Sequence, residues 1–149
     1  MYTWKTGVGG EREGGGEMNQ DLHGYTGDGW IGVDLDGTLA FYDGWKGADN
    51  IGAPIPKMLG RVVCWIRTGR RVKILTARVS PSKEDHQVCR RHIEIWLEKN
   101  LYPLLPALGQ SQSWCIPITH EKDHKMIELW DDRCVQVIPN TGERADGKE

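Results

Sequence analysis

The chain has 149 residues, 38% hydrophobic and 27% charged, enough for one soluble domain with a sizeable core. A formal net charge of −2 argues against broad non-specific nucleic-acid binding, though it leaves room for a local basic groove. No apolar run approaches a membrane span, no N-terminal apolar segment resembles a secretory signal, and Cys64, Cys89, Cys115 and Cys134 show no CxxC spacing, which suits free thiols in a reducing cytoplasm.

Residues 1–29 hold nine of the 19 glycines, including Gly14-Gly15-Gly16, and few aliphatic side chains. Such a segment buries too little to offset its ordering entropy, so a mobile arm or a loose hairpin is expected ahead of a domain over 30–139. Trp30-Ile31-Gly32-Val33 suits a buried strand, and it runs into Asp34-Leu35-Asp36-Gly37-Thr38. In an extended segment Asp34 and Asp36 point the same way, with Leu35 opposite. Two like charges at a strand end repel unless a proton or a cation lies between them, which points to a hard divalent ion such as Mg²⁺.

Residues 41–50 read as a loop from their Gly, Asp and Asn content. They carry Phe41, Tyr42 and Trp45 beside the carboxylate pair, either packed on the domain edge or forming a flap that stacks on a substrate. Pro56 is placed to open a helix whose apolar positions are Met58, Leu59, Val62, Val63 and Ile66, with Gly69 as its stop. A second strand, Arg71 to Leu75, ends in Thr76-Ala77-Arg78. Ser80-Pro81 reads as the start of a second helix that buries Cys89, Ile93, Trp96 and Leu97 and ends near Asn100. Trp114 to Ile118 reads as a third strand, pushed toward an edge by Pro117. Met126 to Trp130 is a fourth apolar run ending in Asp131-Asp132, Val135 to Val137 alternates as a short final strand, and 140–149 is a polar tail expected to fray.

This order of elements is that of an α/β fold with a mainly parallel sheet, whose ligand site lies at the carboxyl ends of the strands. Three strands end in polar residues there: Asp34 and Asp36, Thr76, and Asp131 and Asp132.

These residues resemble the haloacid dehalogenase superfamily of phosphotransferases. Asp34-Leu-Asp36-Gly37-Thr38 matches its DxDGT loop, Thr76-Ala77-Arg78 looks like the TAR form of its second motif, and Asp131-Asp132-Arg133 looks like the DDR form of its fourth. The stretch 51–77 also resembles the G-x-P-x-P to TAR run of small phosphatases, and the likeness extends over about residues 30–138. The resemblance implies a Rossmann-like three-layer sandwich. Only 37 residues separate Thr38 from Thr76, which leaves no room for a folded cap domain.

By the same resemblance, Asp34 is the nucleophile that forms an aspartyl-phosphate, and Asp36 the general acid and base. Thr76 bonds a phosphoryl oxygen, and the motif lysine is Lys122 or Lys125, with Lys122 favoured. Asp34, the backbone carbonyl of Asp36 and Asp132 hold Mg²⁺, with Asp131 on a metal-bound water or the lysine. Gly37, Thr38, Ala77, Arg78, Trp45 and Arg133 are the candidates for substrate contact. The Asp131-Asp132-Arg133 form and the helix Ile93-Glu94-Ile95-Trp96-Leu97 resemble the phosphatase half of polynucleotide kinase–phosphatases, and an open site admits bulky substrates. Arg61, Arg67, Arg70, Arg71, Lys73, Arg90 and Arg91 give the middle of the chain a basic bias. A nucleotide or a polynucleotide phosphate end is therefore the implied substrate; a small non-nucleotide metabolite or phosphoprotein, or a catalytically idle phosphate-binding protein, are the alternatives.

A competing motif is His120-Glu121-Lys122-Asp123-His124, which fits the HExxH pattern of zinc peptidases if these residues form a helix. His86, Cys89 and His92, spaced by three, are a further possible metal cluster that drifts around a helix.

Overall fold

In the computed structural model, residues 27–105 and 114–148 are described, so most of the glycine-rich arm, 1–26, lies outside the described residues. The elements are β1 (Trp30–Val33), α1 (Pro56–Arg67), β2 (Arg71–Leu75), α2 (His86–Asn100), β3 (Ile118–Thr119) and β4 (Met126–Trp130). They build a four-stranded sheet in the order β3-β2-β1-β4, with every strand pair parallel. β1 is central and all four of its residues are buried, as its unbroken apolar run requires.

Both connections β1–α1–β2 and β2–α2–β3 step in the same direction across the sheet. Right-handed crossovers then lay both helices on one face. That face carries Ile31, Val33, Val72 and Ile74, packed with Met58, Val62 and Ile66 of α1 and Ile93 and Leu97 of α2. The expected three-layer sandwich is therefore corrected to two layers among the described residues.

The second face is crossed by a strap. β3 and β4 lie on opposite edges, and residues 120–125 must pass three strand spacings, about 14 Å, while descending from one end of the sheet to the other. Six extended residues span about 20 Å; a helix of that length would span only about 9 Å. The strap is accordingly non-helical. Its Asp123 accepts a hydrogen bond from the Trp30 indole N–H at 2.8 Å and pairs with Lys73 at 3.4 Å. The Lys73 ammonium sits 4.3 Å from the centre of the Trp30 ring. Together they leave Trp30 only 2% exposed on a face that no helix among the described residues covers.

Proline opens α1 as expected, and Gly69, at φ +85°, closes it. Three expected elements shift. Ser80-Pro81 does not start α2: Ser80 closes a 3₁₀ turn over Ala77–Val79, and its hydroxyl bonds Ser82 at 2.8 Å rather than a helix amide. The chain turns through 81–85, and α2 begins at His86. The third strand shrinks to Ile118–Thr119, because Trp114 packs on Tyr102 and the Ile116 amide donates to the Tyr102 hydroxyl instead of to a neighbouring strand. Val135 to Val137 adds no strand to the sheet. The tail expected to fray folds back on it instead: Ile138 N–H donates to Glu143 O at 2.7 Å and Ala145 N–H to Gln136 O at 2.8 Å, with Asn140 at φ +66° in the turn. No helix among the described residues is long and apolar enough to cross a membrane, and all four cysteines are unpaired.

Trp30→Phe removes the indole donor to the strap together with the pyrrole half of a buried ring. We expect it to lower stability by about 2 kcal/mol in urea unfolding; an unchanged midpoint would show that neither the strap bond nor the ring's packing matters.

Candidate active site

The carboxyl ends of β1, β2 and β4 are adjacent, so the residues that follow them meet. β1 and β4 pair up to Val33 and Trp130, and the Asp34 N–H donates to the Trp130 carbonyl at 2.9 Å. This brings Asp34 beside Asp131 and Asp132, and one carboxylate oxygen from each of the three lies within 4.8 Å of the other two. That spacing suits one hard cation held by oxygens, and it is the only such group of His, Cys, Asp or Glu among the described residues.

The 34–40 loop is shaped to hold the cluster. Gly37 stands at φ +87°, and a Cβ there would lie 2.5 Å from an Asp132 carboxylate oxygen. The Thr38 hydroxyl accepts a hydrogen bond from the Asp132 N–H at 3.0 Å. Neither residue lines the adjoining cleft; Thr38 ties the two acidic loops together and Gly37 leaves room for the Asp132 carboxylate. Burial, and then the charge of Asp131, push the Asp34 carboxyl up to about 7, against a bond from the Leu35 amide that lowers it. The Cys134 thiol is also pushed up, by burial and by the same carboxylates.

The cleft beside the cluster has a volume of about 340 Å³, within the size range of small-ligand pockets. Asp34, Asp36, Thr76, Ala77, Arg78, Trp45, Asp131 and Arg133, all expected at the site, line it. Thr76, 3% exposed, accepts a bond from the Arg78 amide at 3.3 Å, which leaves its own hydroxyl hydrogen free to donate. Arg133 has no side-chain partner among the described residues. Arg78 is different: its guanidinium is bound by both oxygens of Asp36, at 2.6 and 2.8 Å, and by two backbone carbonyls.

Lys125 is removed from the site, since it begins the descent into β4 at the amino ends of the strands and pairs with Asp28. Lys122 is exposed on the strap, between His120 at the cleft and Asp123 beneath the sheet, and does not line the cleft. Tyr42, Lys83 and His120 do line it. His120 follows β3 directly, so the rule that sites gather at strand ends would have found it. Lys83 was hidden in a segment read as helix.

The zinc-peptidase reading fails, because residues 120–125 are non-helical, with a turn at His124–Lys125, and cannot put both histidines on one helix face. His86, Cys89 and His92 gather no metal cluster either. None of the basic residues of the middle segment lines this cleft; Arg70, Arg71 and Lys73 line a separate one. Arg70 pairs with Glu128, Lys73 with Asp123, and Arg91 with Glu94; Arg67 and Arg90 donate to the carbonyls of Leu104 and Ile118.

A raised Asp34 favours the protonated carboxyl in the folded state. The metal-free protein should therefore lose stability as pH rises from the ordinary 3.8 through about 7. Mg²⁺ displaces that proton, so it should raise the melting temperature more at about pH 8 than at about pH 5.5, and the shift should vanish in Asp131→Asn/Asp132→Asn. An equal Mg²⁺ shift in that double variant would place the ion elsewhere. No protein-family model matches the chain, and neither does any curated protein or solved structure.

Proposed function

We propose that the protein is a Mg²⁺-dependent phosphomonoesterase of haloacid dehalogenase type, working through an aspartyl-phosphate on a nucleotide or a polynucleotide phosphate end. The observation that carries the reading is the gathering of Asp34, Asp131 and Asp132 from two parallel strands, beside a cleft that also holds Thr76. The match of these residues to the DxDGT, TAR and DDR motifs supports it, as does the adjacency of the three strands that bear them.

The donor set fits Mg²⁺. The carboxylates of Asp34 and Asp132 and the backbone carbonyl of Asp36 would hold it, with Asp131 on the same cluster. When bound, the ion would offset two of the cluster's three carboxylate charges and polarise a phosphoryl oxygen of the arriving substrate.

A carboxylate oxygen of Asp34 attacks phosphorus, forming the new O–P bond as the bond to the leaving oxygen breaks. Asp36 first releases one of its Arg78 bonds and takes up a proton from water, which it then gives to that oxygen. Asp36 then takes a proton from water, whose oxygen attacks the aspartyl-phosphate, releasing inorganic phosphate and restoring the Asp34 carboxylate. The Thr76 hydroxyl donates to a phosphoryl oxygen, while Arg133 and Lys122 supply positive charge from the rim.

Turnover of p-nitrophenyl phosphate with Mg²⁺ tests the proposal. It should vanish on chelation and fall at least about 1,000-fold in Asp34→Asn. Full turnover in Asp34→Asn would overturn the nucleophile. No turnover by the wild type, with inorganic phosphate still bound, would favour an idle phosphate-binding protein. A panel of phosphorylated metabolites, nucleotides, phosphopeptides and 3′- or 5′-phosphorylated oligonucleotides sorts the substrate classes.

A further inference from the structure

We propose that Arg78 is a positioning residue, a clasp that ties the aromatic loop 41–50 to Asp36 and so fixes that loop at the mouth of the cleft. The resemblance makes Arg78 a candidate for phosphate contact. Its surroundings assign it otherwise.

A guanidinium has five N–H donors, and a buried one needs nearly all of them matched. The Arg78 side chain is 3% exposed. Its Nε–H donates to Asp36 at 2.6 Å, and Nη2 donates to the second Asp36 oxygen at 2.8 Å and to the Asn50 carbonyl at 2.9 Å. Nη1 lies 3.4 Å from the Ala48 carbonyl. The guanidinium carbon is 4.8 Å from the centre of the Trp45 ring. One planar group thus meets the loop at three points and the catalytic carboxylate at two, with little left to offer a phosphate.

The loop has few other anchors. Among the described residues, every hydrogen bond or ring contact that joins 42–50 to the rest of the domain comes from Arg78 or from Lys83, whose ammonium is 3.9 Å from the Trp45 ring centre. The Lys46–Asp43 pair lies within the loop and is exposed. Phe41 and Trp45 are 60% and 46% exposed, so apolar burial does not hold the loop down. The clasp also constrains Asp36: both its oxygens accept from Arg78, so giving a proton to a leaving group requires it to release one of these bonds. Lysine, with one nitrogen in place of a fork, cannot reproduce the arrangement.

The test compares wild type, Arg78→Lys and Arg78→Met, each shown to be folded by circular dichroism. Limited chymotrypsin digestion reads the loop at Phe41, Tyr42 and Trp45. Both variants should be cut there about 10-fold faster. Inhibition by inorganic phosphate should stay within about 2-fold of wild type, while kcat on p-nitrophenyl phosphate falls about 10- to 100-fold in Arg78→Lys. Loop cleavage at the wild-type rate would overturn the clasp. So would a phosphate inhibition constant about 10-fold weaker with the loop still protected, which would make Arg78 a phosphate ligand. Should the Arg78 variants fail to fold, Asp36→Asn keeps the side-chain shape and weakens the pair, and it should expose the same sites; continued protection there would equally sink the proposal. The kinetic arm rests on the phosphatase reading, whereas the cleavage arm does not, so a wild type without turnover would reject that reading and leave the clasp to be decided by digestion.

Discussion

Three carboxylates within 4.8 Å of one another repel, and the architecture of this end of the sheet exists to hold them together. Parallel pairing supplies the main force: β1 and β4 are locked in register up to Val33 and Trp130, and the next amide of β1 closes on the Trp130 carbonyl. The Thr38 hydroxyl then seizes the Asp132 amide, and Gly37 leaves the space that the Asp132 carboxylate fills. A side chain at Gly37 would collide with the very group that the loop positions. The local stability given up to like charge is what a cation recovers on binding.

Among the described residues, the sheet delivers this convergence with two α-helices. With strand order β3-β2-β1-β4, the polar residues that end β1, β2 and β4 come from three neighbouring strands. The return from β3 to β4 is too long for a helix of six residues, so it becomes a non-helical strap, and the strap does two jobs. It seals Trp30 through Asp123, and it starts with His120 at the cleft and ends with Lys125 at the opposite pole. The separation of the two candidate lysines follows from that path.

What was legible in the sequence was whatever depended on local chemistry. Pro56 and Gly69 bound α1 because each acts through its own φ, and the Met126–Trp130 run reads as a strand from its own short apolar composition. The carboxylates, Thr76, Trp45 and Arg133 reached one cleft because strand ends gather at one rim. What stayed hidden depended on distant partners. Ser80 had a proline after it and looked like a cap, but its hydroxyl found Ser82. Trp114 looked like a strand residue, but Tyr102 claimed it. The single-sided placement of the helices follows from the direction of two crossovers, which no local pattern encodes. Lys83 lies in the cleft rather than in a helix because α2 begins at His86 and not at Ser80-Pro81.

Asp34 and Asp36 stand two residues apart on one loop, yet their surroundings differ in kind. Asp36 faces a buried guanidinium that engages both its oxygens. Asp34 faces two more carboxylates and receives one amide, with no cation among the causes that shift it. One carboxylate therefore has its counter-charge built into the fold, and the other lacks one until an ion or a proton arrives. Two acids in unlike environments can take unlike parts in one reaction, and here the difference is made by residues far away in sequence: Arg78 at the end of β2, and Asp131 and Asp132 at the end of β4. The division of labour between the two carboxylates is thus a property of the sheet rather than of the loop that carries them.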